Sequence, residues 1–313
     1  MENFAVVILN YNTFEDTVVC VDSIKKYTAC SSYKIFVVDN ASPDKSGQLL
    51  ASKYPQDDQV QVLASEKNLG FSGGNNIGIR KALEEGFEHV YLLNSDIILQ
   101  NDAFAFMQEA FASNKDVAVV GPSIYNPKGE YVQFARHGIT TRSYLTSKKF
   151  LKAFFPGQKN KSRFIDYPTD KDFIFNGMVS GCCFGMTSAF IKQNNCLDEN
   201  LFMYYEEDIL AYVLQKANKK AMIVNESRVI HNEGVATQKK GCGKMLFTRF
   251  YRWTSVIYVL LNYAKLNRFV CKLLSLQNIG NWMVMSLYNK KYRESLRAFV
   301  AENKRVLNAK PLQ

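Results

Sequence analysis

The residues best suited to chemistry follow predicted strands. Four apolar residues, Val90 to Leu93, predict a strand buried on both faces of a parallel sheet, and Asn94, Ser95 and Asp96 come next. Ligands of open α/β sheets bind beyond the carboxyl ends of the strands, which would put Asp96 at the mouth of a crevice. One carboxylate is enough for a cation such as Mg²⁺, which takes its other ligands from water and phosphate. Turn and N-cap chemistry before a helix near Asp102 is the alternative interpretation.

A second acidic cluster, Glu206, Glu207 and Asp208, opens a predicted helix. Acidic residues at a helix N-terminus interact favourably with the helix dipole, and this structural explanation suffices for two of the three. The flanking aromatic residues and Met favour a general base in a sugar-sized pocket, where crowding would raise the pKa of one carboxyl. A lone histidine is usually structural, but the position of His231 directly after a short predicted strand favours a functional role.

The first third of the chain alternates strands with helices. This alternation predicts a parallel, doubly wound sheet. The predicted strands are Phe4 to Leu9, Lys34 to Val38, Val60 to Leu63, Val90 to Leu93 and Val117 to Val120.

Polar residues end two further strands and should share the sheet edge with Asp96. They are Asn10, Tyr11 and Asn12 after the first strand and Asp39 after the second.

Between the third strand and its helix, predicted from Gly73 to Glu85, lies a glycine-rich loop that includes Asn68, Gly70 and Asn75. Its glycines allow the backbone close to a ligand, and the helix N-terminus favours anions. A dinucleotide fingerprint would need glycines directly after the first strand, where there are none. The pattern predicts a nucleotide site without the usual phosphate loop.

The second half is less regular. Residues 125–175 are basic and aromatic and are predicted to form a surface insertion. A strand is predicted from Met178 to Met186, and two short ones over Ala221 to Val224 and Val229 to Ile230. From residue 241 the chain predicts basic, amphipathic helices, which would either pack on the preceding α/β part or lie on an anionic membrane surface. We therefore divide the chain into residues 1–240, with halves 1–122 and 123–240, and a helical extension 241–313.

Composition gives broader expectations. The chain has 313 residues, 47% of them hydrophobic, and a net charge of +10, which suits anionic partners such as nucleic acid, membrane or phosphorylated substrates. An acidic residue follows Met1 where an export signal needs positive charge, and the seven cysteines are scattered apart from Cys182 and Cys183. A cytoplasmic protein is expected.

Together these stretches resemble the family 2 inverting glycosyltransferases with the GT-A fold, especially the bacterial rhamnosyltransferase-like branch. The resemblance rests on the order and spacing of its pieces between Ala5 and Tyr263. It implies a Rossmann-like, mostly parallel central sheet flanked by helices, with a helical C-terminal extension. The matching pieces are residues 7–12, 37–42, 68–78, 93–96, the Gly181 strand, 202–208 and 230–231.

The resemblance also implies roles in binding a nucleoside-diphosphate sugar. Asp39 looks like the residue that accepts a hydrogen bond from the nucleotide base. Asp96 and His231 look like the ligands of Mg²⁺ or Mn²⁺, with Asn94 replacing the first acid of the family's Asp-x-Asp. Arg249 or Arg252 could clamp the diphosphate, as their charge and place indicate. The remaining donor contacts would come from Asn10, Tyr11, Asn12, Asn68, Gly70, Asn75, Asn94 and Ser95.

The family's Glu-Asp pair, whose second acid deprotonates the acceptor, aligns without gaps on Glu206 and Glu207. A shift of one residue would place it on Glu207 and Asp208, so Glu207 is the favoured base and Asp208 the next. The implied reaction moves a sugar from a UDP- or dTDP-linked donor to a saccharide hydroxyl with inversion, in the synthesis of bacterial surface polysaccharide. The family's habit and the basic C-terminus suggest a lipid-linked acceptor at the inner face of the cell membrane.

Two other functions were weighed. A sugar nucleotidyltransferase would need a glycine-rich loop bearing Arg and Lys after the first strand, which this chain lacks. A basic nucleic-acid-binding module would need cations on the face that carries the motifs. That face instead offers Asp39, Asp96 and Glu207, which would repel phosphate without a metal, so no nucleic-acid partner is expected.

Overall fold

The computed structural model describes residues 3–147, 163–232 and 242–311. The basic pair Lys148–Lys149 of the predicted insertion and the residues 233–234 that follow His231 lie outside this part of the chain.

The first third folds as strands alternating with helices. Its four strands pair in parallel in the order β3-β2-β1-β4. The elements are β1 (Phe4–Asn10), α1 (Phe14–Tyr27), β2 (Tyr33–Asp39), α2 (Ser46–Lys53), β3 (Val60–Ala64), α3 (Gly70–Glu84) and β4 (His89–Asn94).

Helix α3 begins at Gly70, three residues before the predicted start. The early start has a local cause, because the Asn68 side chain accepts a hydrogen bond from the Gly70 N–H (2.9 Å) and so satisfies a backbone donor that the first turn leaves free. The glycine-rich loop of the sequence is therefore largely the first turn of a helix.

The second half completes the sheet with strands of both directions. Its elements are β5 (Ile97–Leu99), α4 (Ala103–Ser113), β6 (Val117–Tyr125), β7 (Ala135–Arg136), α5 (Thr141–Ser147), β8 (Phe164–Ile165), β9 (Phe173–Phe175), β10 (Cys183–Thr187), α6 (Ser188–Gln193), α7 (Glu206–Lys216) and β11 (Lys220–His231). The main sheet runs in the order β3-β2-β1-β4-β10-β6-β11-β5, and β9 also pairs with β11. β10 is antiparallel to both of its neighbours.

Three predictions for this half are corrected. The strand predicted from Met178 begins only at Cys183, because the Met178 backbone hydrogen-bonds with Arg136 of β7 instead. The two short strands predicted around residues 221–230 are one strand, β11, whose register against β6 shifts between Val224 and Arg228. The 125–175 segment is not confined to the surface, since β9 pairs with β11 in the sheet and Ala135 is buried.

The sheet separates two apolar cores. On one face, α1, α2 and α4 pack against β-branched and aromatic residues such as Val6, Ile35 and Tyr91. On the other, α3, α6 and α7 cover their alternate neighbours, such as Val7, Phe36 and Leu92. Because successive strand residues face opposite sides, strands buried on both faces need continuous apolar runs, as the sequence has.

Three helices follow the sheet: α8 (Cys242–Asn262), α9 (Arg268–Tyr288) and α10 (Lys290–Asn308). A third core joins α8 to the catalytic part, with Val256 to Leu260 packed against Ile139, Leu201 and Ile209. Among the helices within the described ranges, none is long and apolar enough to cross a membrane.

Candidate active site

Three polar strand ends meet at one rim of the sheet. In the parallel register Asn10 pairs with Asp39, and Leu9, the residue before Asn10, pairs with Asn94. The carboxyl ends of β1, β2 and β4 therefore present the predicted donor residues side by side.

Asn10 supports Asp39 from below the rim. The Asn10 side chain is fully buried and donates to Asp39 Oδ1 (2.7 Å) and Ser46 Oγ (3.0 Å), while its own oxygen accepts from Thr17 (2.9 Å). Its hydrogen bonds are thus used within the protein. Asn10 orients Asp39, which is also bound by the Ser42 hydroxyl and backbone N–H.

Asn40 holds the first turn of α3 in place. Its side chain donates to Asn68 Oδ1 (3.0 Å) and to the Gly70 carbonyl (3.1 Å), and accepts from the Leu69 N–H (2.9 Å). Asn40 is buried, so the loop after β3 is fixed to the end of β2. Asn75 lies one turn further along α3 and donates to the Phe71 carbonyl (2.9 Å).

At Gly70 the first half of the chain, residues 1–122, contacts the segment that precedes α7. The φ of Gly70 is +75°, and a Cβ there would overlap the Phe202 carbonyl oxygen, which accepts from the Phe71 N–H at 2.9 Å. A positive φ and this close approach both require glycine. Six residues later in α3, buried Asn76 donates to the Leu197 carbonyl and accepts from the Leu197 N–H. These two hydrogen bonds form a second contact between the halves.

Asp96 and His231 form a pair of ligand atoms. Asp96 Oδ1 is buried, accepts no hydrogen bond in the described part of the chain, and lies 3.3 Å from His231 Nε2. Neighbouring ligand atoms of an octahedral Mg²⁺, each about 2.1 Å from the ion, are about 3.0 Å apart. The pair therefore fits one divalent cation. Within the described ranges no group of three His, Cys, Asp or Glu residues could hold a metal together, which leaves positions for water and phosphate.

Strand pairing produces this contact between distant parts of the chain. β5 directly follows Asp96 and pairs with the end of β11, so that His231 lies opposite Ile97 and the Asn232 N–H donates to the Asp96 carbonyl. Burial alone would lower the pKa of His231, but the Asp96 carboxylate and the Cys182 thiol raise that pKa. A divalent cation would therefore have to displace the Nε2 proton in order to bind there.

The three acids at the start of α7 have different surroundings. Asp208 is buried and anchored, because it accepts from the Ile139 N–H (2.6 Å) and is paired with Arg136 and Arg163. Burial nevertheless raises the pKa of Asp208, against the effect of the two guanidinium groups. This carboxylate holds the 136–163 region to α7 and is poorly placed to meet an acceptor.

Glu207 is more accessible than Asp208, whose side chain is only 1% exposed. Glu207 accepts from Arg136 at 2.9 Å, and its side chain is 24% exposed. A Cβ on Gly181 would lie 2.8 Å from Glu207 Oε1, so the glycine leaves room for the carboxylate. The next residue, Cys182, accepts from the Asn94 N–H, which links Glu207 to the Asp96 strand end.

Glu206 points elsewhere, into a cavity of about 450 Å³ between α7, Ser72 and the end of α8. Its Oε1 has no hydrogen-bond partner in the described part of the chain. Burial, and then the charge of Glu207, raise the pKa of Glu206.

The backbone before α7 is strained. Tyr204 and Tyr205 have φ values of +72° and +73°, a region that non-glycine residues rarely occupy. Each such residue costs of order 1–3 kcal/mol and persists only where surrounding contacts impose it.

The two arginines of α8 face different ways. The Arg249 guanidinium contacts Met285 and the Tyr292 hydroxyl of the C-terminal helices, both at 2.9 Å, so its predicted role on the diphosphate does not fit this geometry. Arg252 is exposed, and its guanidinium lies 5.2 Å from the ring centre of Tyr204 beside the acidic segment.

The remaining residues predicted to bind the donor differ in their solvent exposure. Tyr11 and Asn94 are partly exposed, Asn12 is exposed, and Ser95 is buried against the Thr13 hydroxyl (2.9 Å). Tyr11, Asn12 and Asn94 could thus reach a ligand, whereas Ser95 belongs to the support of the rim.

The sequence was also compared with known families. A sequence model of "Glycosyl transferase family 2" matches residues 5–190. The chain belongs to glycosyl transferase family 2. The predictions of this family and of a glycosyltransferase are confirmed.

A glycosyltransferase relative is similar in sequence, and solved glycosyltransferase structures are similar in fold. The low-salt glycan biosynthesis hexosyltransferase Agl10 of Haloferax volcanii is 27% identical over 238 residues, which are 75% of this chain and 69% of that protein. GalNAc-T7, solved with UDP, GalNAc and Mn²⁺, is similar in structure with a TM-score of 0.57, 14% identity, and coverage of 89% of this chain and 54% of that one. The mannosyltransferase PcManGT of Pyrobaculum calidifontis, solved with GDP-Man and Mn²⁺, has a TM-score of 0.53 and 12% identity. The match covers 98% of this chain and 85% of that one. These likenesses confirm the α/β GT-A fold.

Sequence reasoning for this family 2 chain missed several supporting residues. Arg136 and Arg163 appeared only as part of a basic segment, although they bind Glu207 and Asp208. No local pattern marks them, because their partners lie 71 and 45 residues away. Asn40 could have been found, since it follows Asp39 at the same strand end.

Proposed function

We propose that this protein transfers a hexosyl or rhamnosyl unit from a UDP- or dTDP-linked donor to a saccharide hydroxyl, with inversion at the anomeric carbon. The observation that carries the proposal is the pair Asp96 Oδ1 and His231 Nε2, 3.3 Å apart at the rim that also bears Asp39. Glu207 lies against Gly181, the residue before Cys182. The solved Mn²⁺ complexes of two structurally similar glycosyltransferases support a divalent cation, Mg²⁺ or Mn²⁺, as cofactor.

Donor binding would be divided between two strand ends. Asp39, held by Asn10 and Ser42, would accept a hydrogen bond from the nucleotide base. Asp96 and His231 would hold the cation on the diphosphate. A bound cation supplies charge neutralisation for the leaving nucleoside diphosphate. Arg252 is placed to add positive charge beside the acidic segment.

Glu207 would act as the general base. An acceptor oxygen attacks the anomeric carbon while Glu207 takes its proton, and the bond from carbon to the diphosphate oxygen breaks on the opposite side. Arg136, at 2.9 Å, fixes the orientation of the carboxylate. A base on the face opposite the leaving group produces inversion.

The acceptor class extends the proposal. The Agl10 relative is a hexosyltransferase of glycan biosynthesis, which supports a glycan acceptor. We propose the assembly of a bacterial surface polysaccharide on a lipid-linked saccharide at the membrane surface. A cytoplasmic location stays a prediction.

Calorimetric titration with UDP and dTDP, with and without Mn²⁺, tests the donor site. We expect Mn²⁺ to strengthen binding, and Asp96→Ala to weaken the Mn²⁺-dependent part by at least about ten-fold. Asp58→Ala is the matched control, because Asp58 is exposed and precedes β3 at the amino end of the strands. A nucleotide affinity that is changed neither by Mn²⁺ nor by Asp96→Ala would overturn the proposal. Salt-sensitive RNA binding without a nucleotide effect would instead support a nucleic-acid module.

A further inference from the structure

The outer face of α9 carries a row of exposed apolar side chains that runs from Phe269 to Tyr288. Its large side chains recur every three or four residues, which is the spacing of one helix face, with Gly280 in the gap. They are between 50% and 86% exposed. The residues at this spacing are Phe269, Leu273, Leu276, Met283 and Leu287, and Val284 and Tyr288 lie beside them.

This face is not needed for packing α9 against the protein. The opposite face is already buried, with Cys271, Leu274 and Trp282 packed against α8 and α10, and Trp282 stacks on Phe299 with ring centres 4.0 Å apart. Large exposed apolar patches on folded proteins mark surfaces that bind a partner. The outer face of α9 therefore needs an occupant.

The charge around this face selects the occupant. Between Glu233 and Glu294 the sequence has no acidic residue but has seven lysines and four arginines. Exposed cations lie at both ends of the apolar stripe. Arg268 and Lys272 are near the start of α9, and Lys290 and Lys291 come just after its end. A second copy docked by two-fold symmetry would bring cations against cations. An anionic bilayer instead complements both the cations and the apolar stripe.

We propose that the outer face of α9 binds an anionic lipid bilayer, with the helix lying in the interface and not crossing it. A helix of 21 residues is about 30 Å long, and none of the described helices is apolar enough to span a membrane. Tyr288, 86% exposed at the end of the stripe, has the amphipathic ring that favours the headgroup level. Such a surface would hold the protein beside a lipid-linked acceptor. Only this purpose, and not the membrane binding itself, rests on the proposed function.

Flotation of the full chain with vesicles tests the surface. Vesicles of phosphatidylcholine alone are compared with vesicles that also contain phosphatidylglycerol. We expect binding to the anionic vesicles, weakened by salt, and weakened at least about ten-fold in the double variant Leu273→Gln/Leu276→Gln. Val19→Gln/Leu49→Gln is the matched control, because these two residues of α1 and α2 are 47% and 50% exposed and should leave vesicle binding unchanged.

Two further measurements keep the outcome clear. Thermal unfolding shows whether each variant is folded, and UDP binding with Mn²⁺ shows whether the donor site is intact, so a failure of the membrane surface is separate from a failure of the proposed transfer. Equal vesicle binding by both double variants would overturn the proposal. So would a dimer that binds no vesicles and becomes a monomer in Leu273→Gln/Leu276→Gln.

Discussion

At the scale of single residues, three neighbouring acids differ through their surroundings. Asp208 is sealed between Arg136, Arg163 and the Ile139 N–H, whereas Glu207 is partly exposed and has one guanidinium partner. Position in the sequence alone could not separate them. The structure favours Glu207 as the base because a base must reach the proton it takes.

Glu207→Gln should strongly reduce transfer and leave the fold intact. The amide keeps the shape and one hydrogen bond to Arg136 but cannot take a proton, so we expect turnover to fall about 10²- to 10⁴-fold with donor binding unchanged. Turnover with radiolabelled donor and titration with UDP measure the two effects.

Asp208→Asn is the matched comparison for that variant. Removing a buried charge that pairs with two arginines should lower the free energy of unfolding by about 3 kcal/mol, seen in denaturant titration. If Asp208→Asn is stable but inactive while Glu207→Gln retains turnover, the base is Asp208.

Glu206 gives a pH-dependent prediction. Burial and Glu207 raise the pKa of Glu206 above its ordinary value of 4.5, so the folded state binds this proton more tightly than the unfolded state does. Its contribution to stability is therefore greatest at low pH and is lost as the pH rises through the folded pKa. Glu206→Gln should melt at a higher temperature than the natural protein at about pH 9, and the difference should disappear at about pH 4.

Calorimetry at the two pH values measures that difference. Glu84→Gln, at an exposed position at the end of α3, is the control and should change the melting temperature little at either pH. A Glu206→Gln variant that melts at a lower temperature at high pH would show that the carboxylate is stabilised there.

At the scale of elements, α3 contacts the Phe202 backbone, which shortly precedes α7 and the proposed base Glu207. Gly70→Ala should be more damaging than Gly86→Ala, although both glycines have φ near +80°. At Gly86 a Cβ meets nothing within 4 Å, so only backbone strain of about 1–2 kcal/mol is expected. At Gly70 the overlap with the Phe202 carbonyl adds about 1–3 kcal/mol.

Denaturant titration of the two variants measures the difference, and turnover should fall only in Gly70→Ala. Equal loss of stability would mean that the Phe202 backbone yields easily and does not position the base.

The same scale shows what the sequence could predict. The parallel strands β1, β2 and β4 are predictable because each is largely buried on both faces and so contains a continuous apolar run, whereas the edge strand β3 is only partly buried. The antiparallel strand β5, Ile97 to Leu99, was not predicted, because it has only three residues and exists through pairing with β11. Asp39, Asp96 and Glu207 could be proposed from strand and helix ends, whereas Arg136 depends on a contact across 71 residues.

At the scale of the whole molecule, the division at residue 240 does not separate two independent bodies. Buried Asp198 accepts from the hydroxyl groups of Tyr258 (2.6 Å) and Tyr263, and the Ser255 hydroxyl donates to the Met203 carbonyl at 2.9 Å. These contacts tie α8 to the segment before the base. We infer that the helices and the catalytic part form one cooperative unit.

The two tryptophans test that cooperativity. Both Trp253 and Trp282 lie in the C-terminal helices, so their fluorescence reports on that part, while far-ultraviolet circular dichroism reports on the whole chain. We expect the same denaturation midpoint from both probes. A tryptophan transition at lower denaturant would show that the helices unfold separately.

The pairing of His231 with Asp96 also bears on biosynthesis. β11 is the last strand in the described part of the chain, yet it lies inside the sheet between β6 and β5. A nascent chain on the ribosome therefore cannot assemble the cation pair until β11 has emerged and inserted, however early its first four strands have folded. A translation product truncated before β11 would retain residues 1–122 and still lack one of the two ligands proposed to engage a diphosphate through a metal.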